Sequence, residues 1–128
     1  MIIKLLNKIK YNLKLNKNFI LYKFSKNIYY LINLLYNYNY ILKFYIININ
    51  SKFYFFIILN QYKKINYFKI YIKYNQLFYM NYKKLLNFIK YNKYFKGLLI
   101  LYSSKYKFIT HILSLKYKIG GILIFYIF

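Results

Sequence analysis

The sequence of 128 residues contains no aspartate and no glutamate, although it has 22 lysines and a formal net charge of +22 at pH 7. Because no side-chain carboxylate neutralises these lysines, folding alone leaves strong repulsion between them. A partner must therefore supply negative charge. The two partner classes that do so are nucleic acid and an anionic membrane surface.

Cysteine is also absent, and there is a single histidine, His111. The chain can therefore form no disulfide and no thiolate zinc site. One histidine without carboxylates provides neither a catalytic triad nor a metal site, and it leaves almost no groups for general acid–base catalysis. We expect no enzymatic reaction, no cofactor and no small-molecule substrate, and we expect His111 to be a surface or groove residue.

Long uncharged apolar runs are missing as well. A membrane-spanning helix needs about 18 or more such residues, whereas the longest lysine-free stretch covers only residues 27–42. We expect no membrane span. The hydrophobic fraction of 61% nevertheless leaves a basic protein of the membrane surface as an alternative.

The residues that are present, mainly Lys, Asn, Ile, Leu, Tyr and Phe, have AT-rich codons. This alphabet indicates a small, AT-rich genome such as that of an organelle, and it favours a mitochondrion over a plastid. The same bias does not account for the missing acidic residues. Asp codons differ from Asn codons by only one base, and other proteins with this bias keep some carboxylates.

Apolar residues at helical spacing predict a first helix from Ile2 and a second over residues 27–38, with Ser25 as its N-cap. Between them, "FILYKF" is typical of a short strand. Three aromatic and β-branched segments then predict an antiparallel meander. They are residues 41–50, 52–61 and 67–74.

In the second half, residues 81–95 are predicted as helix or irregular structure, and "GLLILY" as a strand. Thr110 is predicted to cap a short helix through about Tyr117, and Gly120-Gly121 to form a turn before a terminal strand. The pattern predicts an α/β (α+β) protein in two small lobes. These are an N-terminal helix–strand–helix–strands lobe (residues 1–65) and a mostly β C-terminal lobe with one short helix (residues 66–128).

The small polar residues gather in "LYSSKYKFITH", which holds the only threonine and two of the five serines. Short hydroxyls at a strand end suit contacts to the RNA minor groove, and an ordinary polar turn is the alternative. With its surroundings this segment resembles the C-terminal signature of the S-eight family of small-subunit ribosomal proteins, G-L-G-I-x-x-x-S-T-S-K-G-x-M-T, a short helix, and G-G-x-x-x-x-Y-V. The residues that carry the match are Ser103, Ser104, Thr110, Gly120, Gly121, Tyr126 and Ile127.

The N-terminal half adds to the resemblance. "LLNKIKYN" looks like the family's M-L-x-R-I-R-N, and "SKNIYYLINLLYNYNYILKF" follows its S-K, helix, G-F-I-x-x-F without a gap. The chain departs from the family at several positions. Lys105 replaces the third serine of the motif, Lys107 its following glycine, Asn39-Tyr40 the Gly-Phe pair, and Ile122 the acid common after Gly-Gly.

The resemblance implies a structural protein that binds and stabilises the central domain of small-subunit ribosomal RNA during assembly, next to other small-subunit proteins and not as a homo-oligomer. It places the chain in a mitochondrial ribosome, with a plastid-type organelle as the alternative. A general nucleic-acid chaperone is a further alternative. The RNA-binding residues that we expect are Ser103, Ser104, Lys105, Lys107, Thr110, Gly120, Gly121, Lys4, Lys8, Lys10, Ser25 and Lys26.

Overall fold

A computed structural model describes residues 2–63, 65–92 and 96–128. Within these ranges the chain forms four helices and eight strands in two sheets. It divides into two compact units, Met1–Ile65 and Asn66–Phe128, and each unit contains one of the sheets. The predicted α+β class with two lobes is confirmed.

The N-terminal unit combines two amphipathic helices with three strands. Leu5, Leu6 and Ile9 recur at helical spacing and are fully buried, as are Ile28 and its neighbours on the second helix. These apolar stripes cover one face of the sheet, as the periodicity predicts. In chain order the elements are α1 (Ile2–Lys14), β1 (Phe19–Lys23), α2 (Lys26–Asn37), β2 (Ile41–Ile49) and β3 (Lys52–Leu59).

The N-terminal sheet is antiparallel with the order β1-β3-β2. Phe55, Ile57 and Leu59 of the central strand point to the helix-covered face and are buried. The residues between them point to the opposite face, because side chains alternate along a strand. We call this second face the open sheet face. It consists of Phe19, Leu21, Lys23, Lys43, Tyr45, Ile47, Ile49, Lys52, Tyr54, Phe56 and Ile58.

Ser25 occupies the predicted N-cap position of α2, but its hydroxyl does not make the expected capping hydrogen bond. The prediction of a single meander of three strands is wrong. The third segment of the predicted meander, around Phe68, joins the sheet of the other unit, where the Phe68 ring stacks on that of Phe125 at 5.4 Å. Alternation of apolar residues identifies a strand, but it does not identify the partner strand.

The C-terminal unit is built around its last strand. In chain order its elements are β4 (Phe68–Ile70), β5 (Tyr79–Met80), α3 (Tyr82–Tyr91), β6 (Leu98–Ser103), β7 (Lys107–Thr110), α4 (His111–Tyr117) and β8 (Gly121–Ile127). Strand β8 pairs with β6 on one edge and with the short strands β4 and β5 on the other, and β7 pairs with the free edge of β6. All of these pairings are antiparallel.

The core of this unit lies where α3 meets the sheet. Leu85 is fully buried against Leu101, Ile109 and Leu123, and Leu115 of α4 packs at the margin. Asn81 caps α3, with its side-chain oxygen accepting from the Lys84 amide at 2.8 Å. The segment predicted as helix or irregular is therefore helical over most of its length, and its residues 93–95 lie outside the described residues.

The longest helix in the described ranges, α1, has 13 residues. No helix of these ranges has the length and apolarity needed to cross a membrane.

The turn between β2 and β3 places Asn50 and Ser51 at φ 49° and 62°. Both residues therefore lie in the left-handed region, as a two-residue hairpin turn requires. This conformation costs an L-residue roughly 1–2 kcal/mol, and glycine avoids that cost at an entropic loss of roughly 0.5–1 kcal/mol.

We expect Ser51→Gly to raise the free energy of unfolding by about 0.5–1 kcal/mol. Urea denaturation in about 1 M NaCl, where charges are screened within about 3 Å, measures this. Asn48→Gly is the control, because Asn48 lies in the extended strand β2 and the change should destabilise it. A midpoint for Ser51→Gly at or below that of the wild type would contradict the strain argument.

Candidate nucleic-acid interface

The segment "LYSSKYKFITH" (residues 101–111), where the small polar residues gather, contains a tight hairpin that joins β6 to β7. Ser103 pairs with Lys107 across the hairpin, and residues 104–106 make the turn. Lys107 has φ 60°, in the left-handed region. A left-handed residue at this place is common in hairpins with three-residue loops. The strand over residues 107–110 was not predicted, because its four residues are too few to show a period.

The hairpin separates the predicted contact residues by exposure. Ser104 and Lys105 are exposed at the turn, and Lys107 is half-buried. Ser103 retains only 8% of its surface. Of the contact residues predicted for this hairpin, Ser104 and Lys105 are therefore the best placed to meet a ligand.

Two tyrosines that sequence reasoning missed lie beside this turn. Tyr106 at the hairpin and Tyr117 at the end of α4 stack with their ring centroids 5.4 Å apart and their planes 3° from parallel. Lys105 lies over the Tyr106 ring at 5.3 Å, and Lys116 over the Tyr117 ring at 6.0 Å. We call these four residues the tyrosine–lysine cluster. Because tyrosine is abundant throughout the chain, no sequence signal marks these two tyrosines.

Thr110 is fully buried and lies where β7 turns into α4. Its hydroxyl accepts from the Leu113 amide at 3.5 Å, so the predicted cap is present. Burial keeps this side chain from direct contact with a large ligand. The structure therefore gives Thr110 a role in positioning the hairpin and the helix, rather than in touching RNA.

His111 is buried, with 8% of its surface exposed, so the expectation of a surface or groove position is wrong. Its Nδ1 accepts from the Leu99 amide at 3.2 Å, which joins the start of α4 to β6. A protonated Nδ1 cannot accept that bond. Burial lowers the pKa of His111 below its ordinary value of 6.5.

Gly120 and Gly121 lie against the chain's own backbone. A Cβ on Gly121 would stand 2.7 Å from the Tyr102 carbonyl oxygen, and one on Gly120 would stand 2.5 Å from that of Met80. Neither has the positive φ of Gly97, so close approach is the reason for glycine at both positions. Gly121 thus permits β8 to dock beside β6, and Gly120 permits the chain just before β8 to pass close to the end of β5. Of the predicted turn, Gly121 is already the first residue of β8.

The remaining predicted site residues belong to the N-terminal unit. Lys4 is exposed on α1 and Lys10 is half-buried there, whereas Lys8 donates to the Leu21 carbonyl at 2.7 Å. At the start of α2, Ser25 is half-buried and Lys26 is exposed. The structure thus forms one group at the hairpin and another along the N-terminal helices.

No protein-family model matches the chain, and a search of curated proteins finds no match either.

His111 gives the protein a testable pH dependence. It is the only side chain of this sequence whose ordinary pKa lies between about 5 and 8. Since burial lowers its folded pKa, the stability that depends on neutral imidazole is fully present above pH 6.5 and is lost as the pH falls below that value.

We therefore expect the melting temperature in about 1 M NaCl to fall between about pH 7 and about pH 5 in the wild type. His111→Asn, whose side-chain oxygen can accept the Leu99 amide bond, should melt at one temperature across this range. An equal fall in both proteins would contradict the role assigned to His111.

Proposed function

We propose that this protein binds ribosomal RNA as a structural constituent of the small ribosomal subunit and stabilises the central domain of that RNA during assembly. The observation that carries the proposal is the exposed hairpin turn, where Ser104 and Lys105 lie beside stacked tyrosines in a chain without acidic residues. Hydroxyl, ammonium and aromatic groups together match ribose, phosphate and base.

Charge gives the first support. The lysines carry +22 with no carboxylate side chain to offset them, and phosphate backbones provide dense negative charge. Each phosphate that a lysine neutralises releases condensed counterions, which strengthens binding and makes it depend on salt. Lysine lacks the bidentate fork of arginine, so these contacts anchor the protein more than they select a sequence.

Backbone geometry gives the second support. Asn39 and Lys107, which stand where the S-eight family has glycine, have φ angles of 63° and 60°. Glycine is the residue that favours this left-handed region. A left-handed backbone at both of these positions is compatible with the resemblance, and so is the α+β class in two lobes.

In this proposal the predicted residues divide into two roles. Ser104 contacts bases or riboses, and Lys105 and Lys107 reach phosphates. Ser103, Thr110 and Gly121 position the hairpin, because they are buried or packed against its backbone, and Gly120 positions the start of β8 against the end of β5. Lys4, Lys8, Lys10, Ser25 and Lys26 offer further phosphate contacts on the N-terminal unit.

The proposal includes no reaction and no cofactor, because the chain has no acidic residues, no cysteine and only one histidine, His111. That histidine is buried, and one ring nitrogen accepts a backbone amide bond. The other partners are neighbouring small-subunit proteins. The AT-rich alphabet supports a mitochondrial ribosome, with a plastid-type ribosome as the alternative.

The open sheet face favours a second candidate, a basic protein bound to a membrane surface. Phe19 is 60% exposed there, Tyr45 and Leu21 are also exposed, and Lys23 and Lys43 share the face. Apolar side chains bordered by lysines suit an anionic lipid surface.

Co-sedimentation separates the two candidates. We expect the protein to sediment with an RNA fragment of the small-subunit central domain at about 0.15 M salt, even when anionic vesicles compete. Organelle extract resolved on a gradient should show the chain with the small subunit. Partition to vesicles in the presence of RNA would favour the membrane candidate.

Lys105 and Ser104 should affect RNA affinity differently. Lys105→Ala should reduce the slope of log affinity against log salt by about one, because one phosphate contact is lost. Ser104→Ala should weaken binding by about 1–3 kcal/mol at every salt concentration, because a polar RNA group is left unpaired. Filter binding over several salt concentrations measures both.

The control for this series is Asn87→Ala, an exposed polar residue on α3 outside the hairpin. It should bind like the wild type. If Ser104→Ala also binds like the wild type, the contact role of the hairpin is wrong, and the lysines of the helices become the candidate site.

A further inference from the structure

The tyrosine–lysine cluster presents a flat aromatic surface to solvent. Tyr106 and Tyr117 come from different elements, yet their rings are parallel within 3°. The two side chains remain 38% and 48% exposed. An aromatic pair that served only to hold the hairpin to α4 would gain most by burial, and this pair keeps much of its surface in water.

Two lysine ammonium groups already lie over these rings. The ammonium groups of Lys105 and Lys116 lie over the rings of Tyr106 and Tyr117, respectively. An exposed cation–π contact is worth about a 2- to 5-fold change in an equilibrium constant. Stacking of a nucleobase on an aromatic side chain is worth roughly 5- to 150-fold, so a base can displace a lysine from a ring.

The displaced ammonium groups would not be left without a partner. A base stacked on a tyrosine brings its own phosphates within a nucleotide's length of the ring, and lysine side chains are long and flexible. The cluster therefore matches a nucleotide in both parts, with rings for the base and ammonium groups for the phosphates. An uncharged aromatic ligand would contact only the rings and would leave the ammonium groups without a partner.

We propose that Tyr106 and Tyr117 form a platform on which one unpaired RNA base stacks, with Lys105 and Lys116 moving to the adjoining phosphates. This inference rests on the proposed RNA-binding function and adds to it the kind of RNA feature that is bound. A base inside a regular duplex is stacked on both sides and offers no free face. The platform therefore selects a bulged, looped or single-stranded nucleotide.

The test uses the full chain and a short RNA hairpin with a single bulged 2-aminopurine, whose fluorescence falls when the base stacks. The comparison RNA has the same stem with 2-aminopurine paired to uridine. We expect the wild type to quench the bulged base and to bind that RNA at least about 5-fold more tightly than the paired one.

Variants of the two rings make the test specific. Tyr106→Leu and Tyr117→Leu should each abolish the quenching and the preference for the bulge, whereas Tyr106→Phe should retain both because the ring remains. Tyr91→Leu is the matched control, since Tyr91 is also the last residue of its helix and is 84% exposed. It should quench like the wild type.

A fold check accompanies each variant, because a change of the pair can loosen the hairpin. The far-ultraviolet circular dichroism and the binding of the paired RNA should remain as in the wild type for Tyr106→Leu. If these are retained while quenching also persists, the platform does not exist.

The outcomes distinguish the inference from the function beneath it. Salt-dependent binding of both RNAs without quenching, or with equal quenching of the paired base, overturns the platform and leaves the RNA-binding function in place. Failure to bind either RNA or the central-domain fragment at about 0.15 M salt overturns the proposed function itself.

Discussion

Repulsion between lysines is the constraint on which the rest of the structure depends. The usual remedy, pairing with carboxylates, is not available to this chain. The structure uses carbonyl oxygens and tyrosine rings in their place. Lys63 donates to the Tyr38 carbonyl at 2.8 Å and lies 4.2 Å from the centre of the Tyr40 ring, and Lys69 lies over Tyr71. These tyrosines therefore serve as weak, neutral counterparts for the cations that lie over them.

This substitution also shapes the candidate interface. A carboxylate beside a lysine would compete with phosphate, whereas a tyrosine ring leaves the full positive charge in place. Ser104 and Lys105 are exposed at a turn, and close contacts among the buried residues next to this turn fix its position. The Thr110 cap, the His111 bond to β6 and the approach of Gly121 to Tyr102 fix the hairpin relative to α4 and β8. Small and buried residues thus position the exposed ones.

Local signals in the sequence predicted the elements better than their partners. The helical spacing of Leu5, Leu6 and Ile9 and the cap at Thr110 are properties of neighbouring residues, and both features are present. The strand at Phe68 has a local pattern too, but its place on β8 depends on a phenylalanine almost sixty positions away. β5 and β7 have two and four residues, too few for any period. The burial of His111 and the stacking of Tyr106 on Tyr117 arise only once the sheet and α4 have formed, so composition and spacing gave no sign of either.

The position of β8 between β6 and the two short strands affects the order in which the two units fold while the chain is being synthesised. All pairings of β1, β2 and β3 lie within residues 19–59, so the N-terminal sheet can close early. In the C-terminal unit, β4, β5 and β6 find their shared partner only when residues 121–127 have left the translating ribosome. At about 5–20 residues per second, these strands wait for seconds with unpaired edges. The nascent chain thus passes through a stage in which one unit is folded and the hairpin at the candidate interface is not yet held in place.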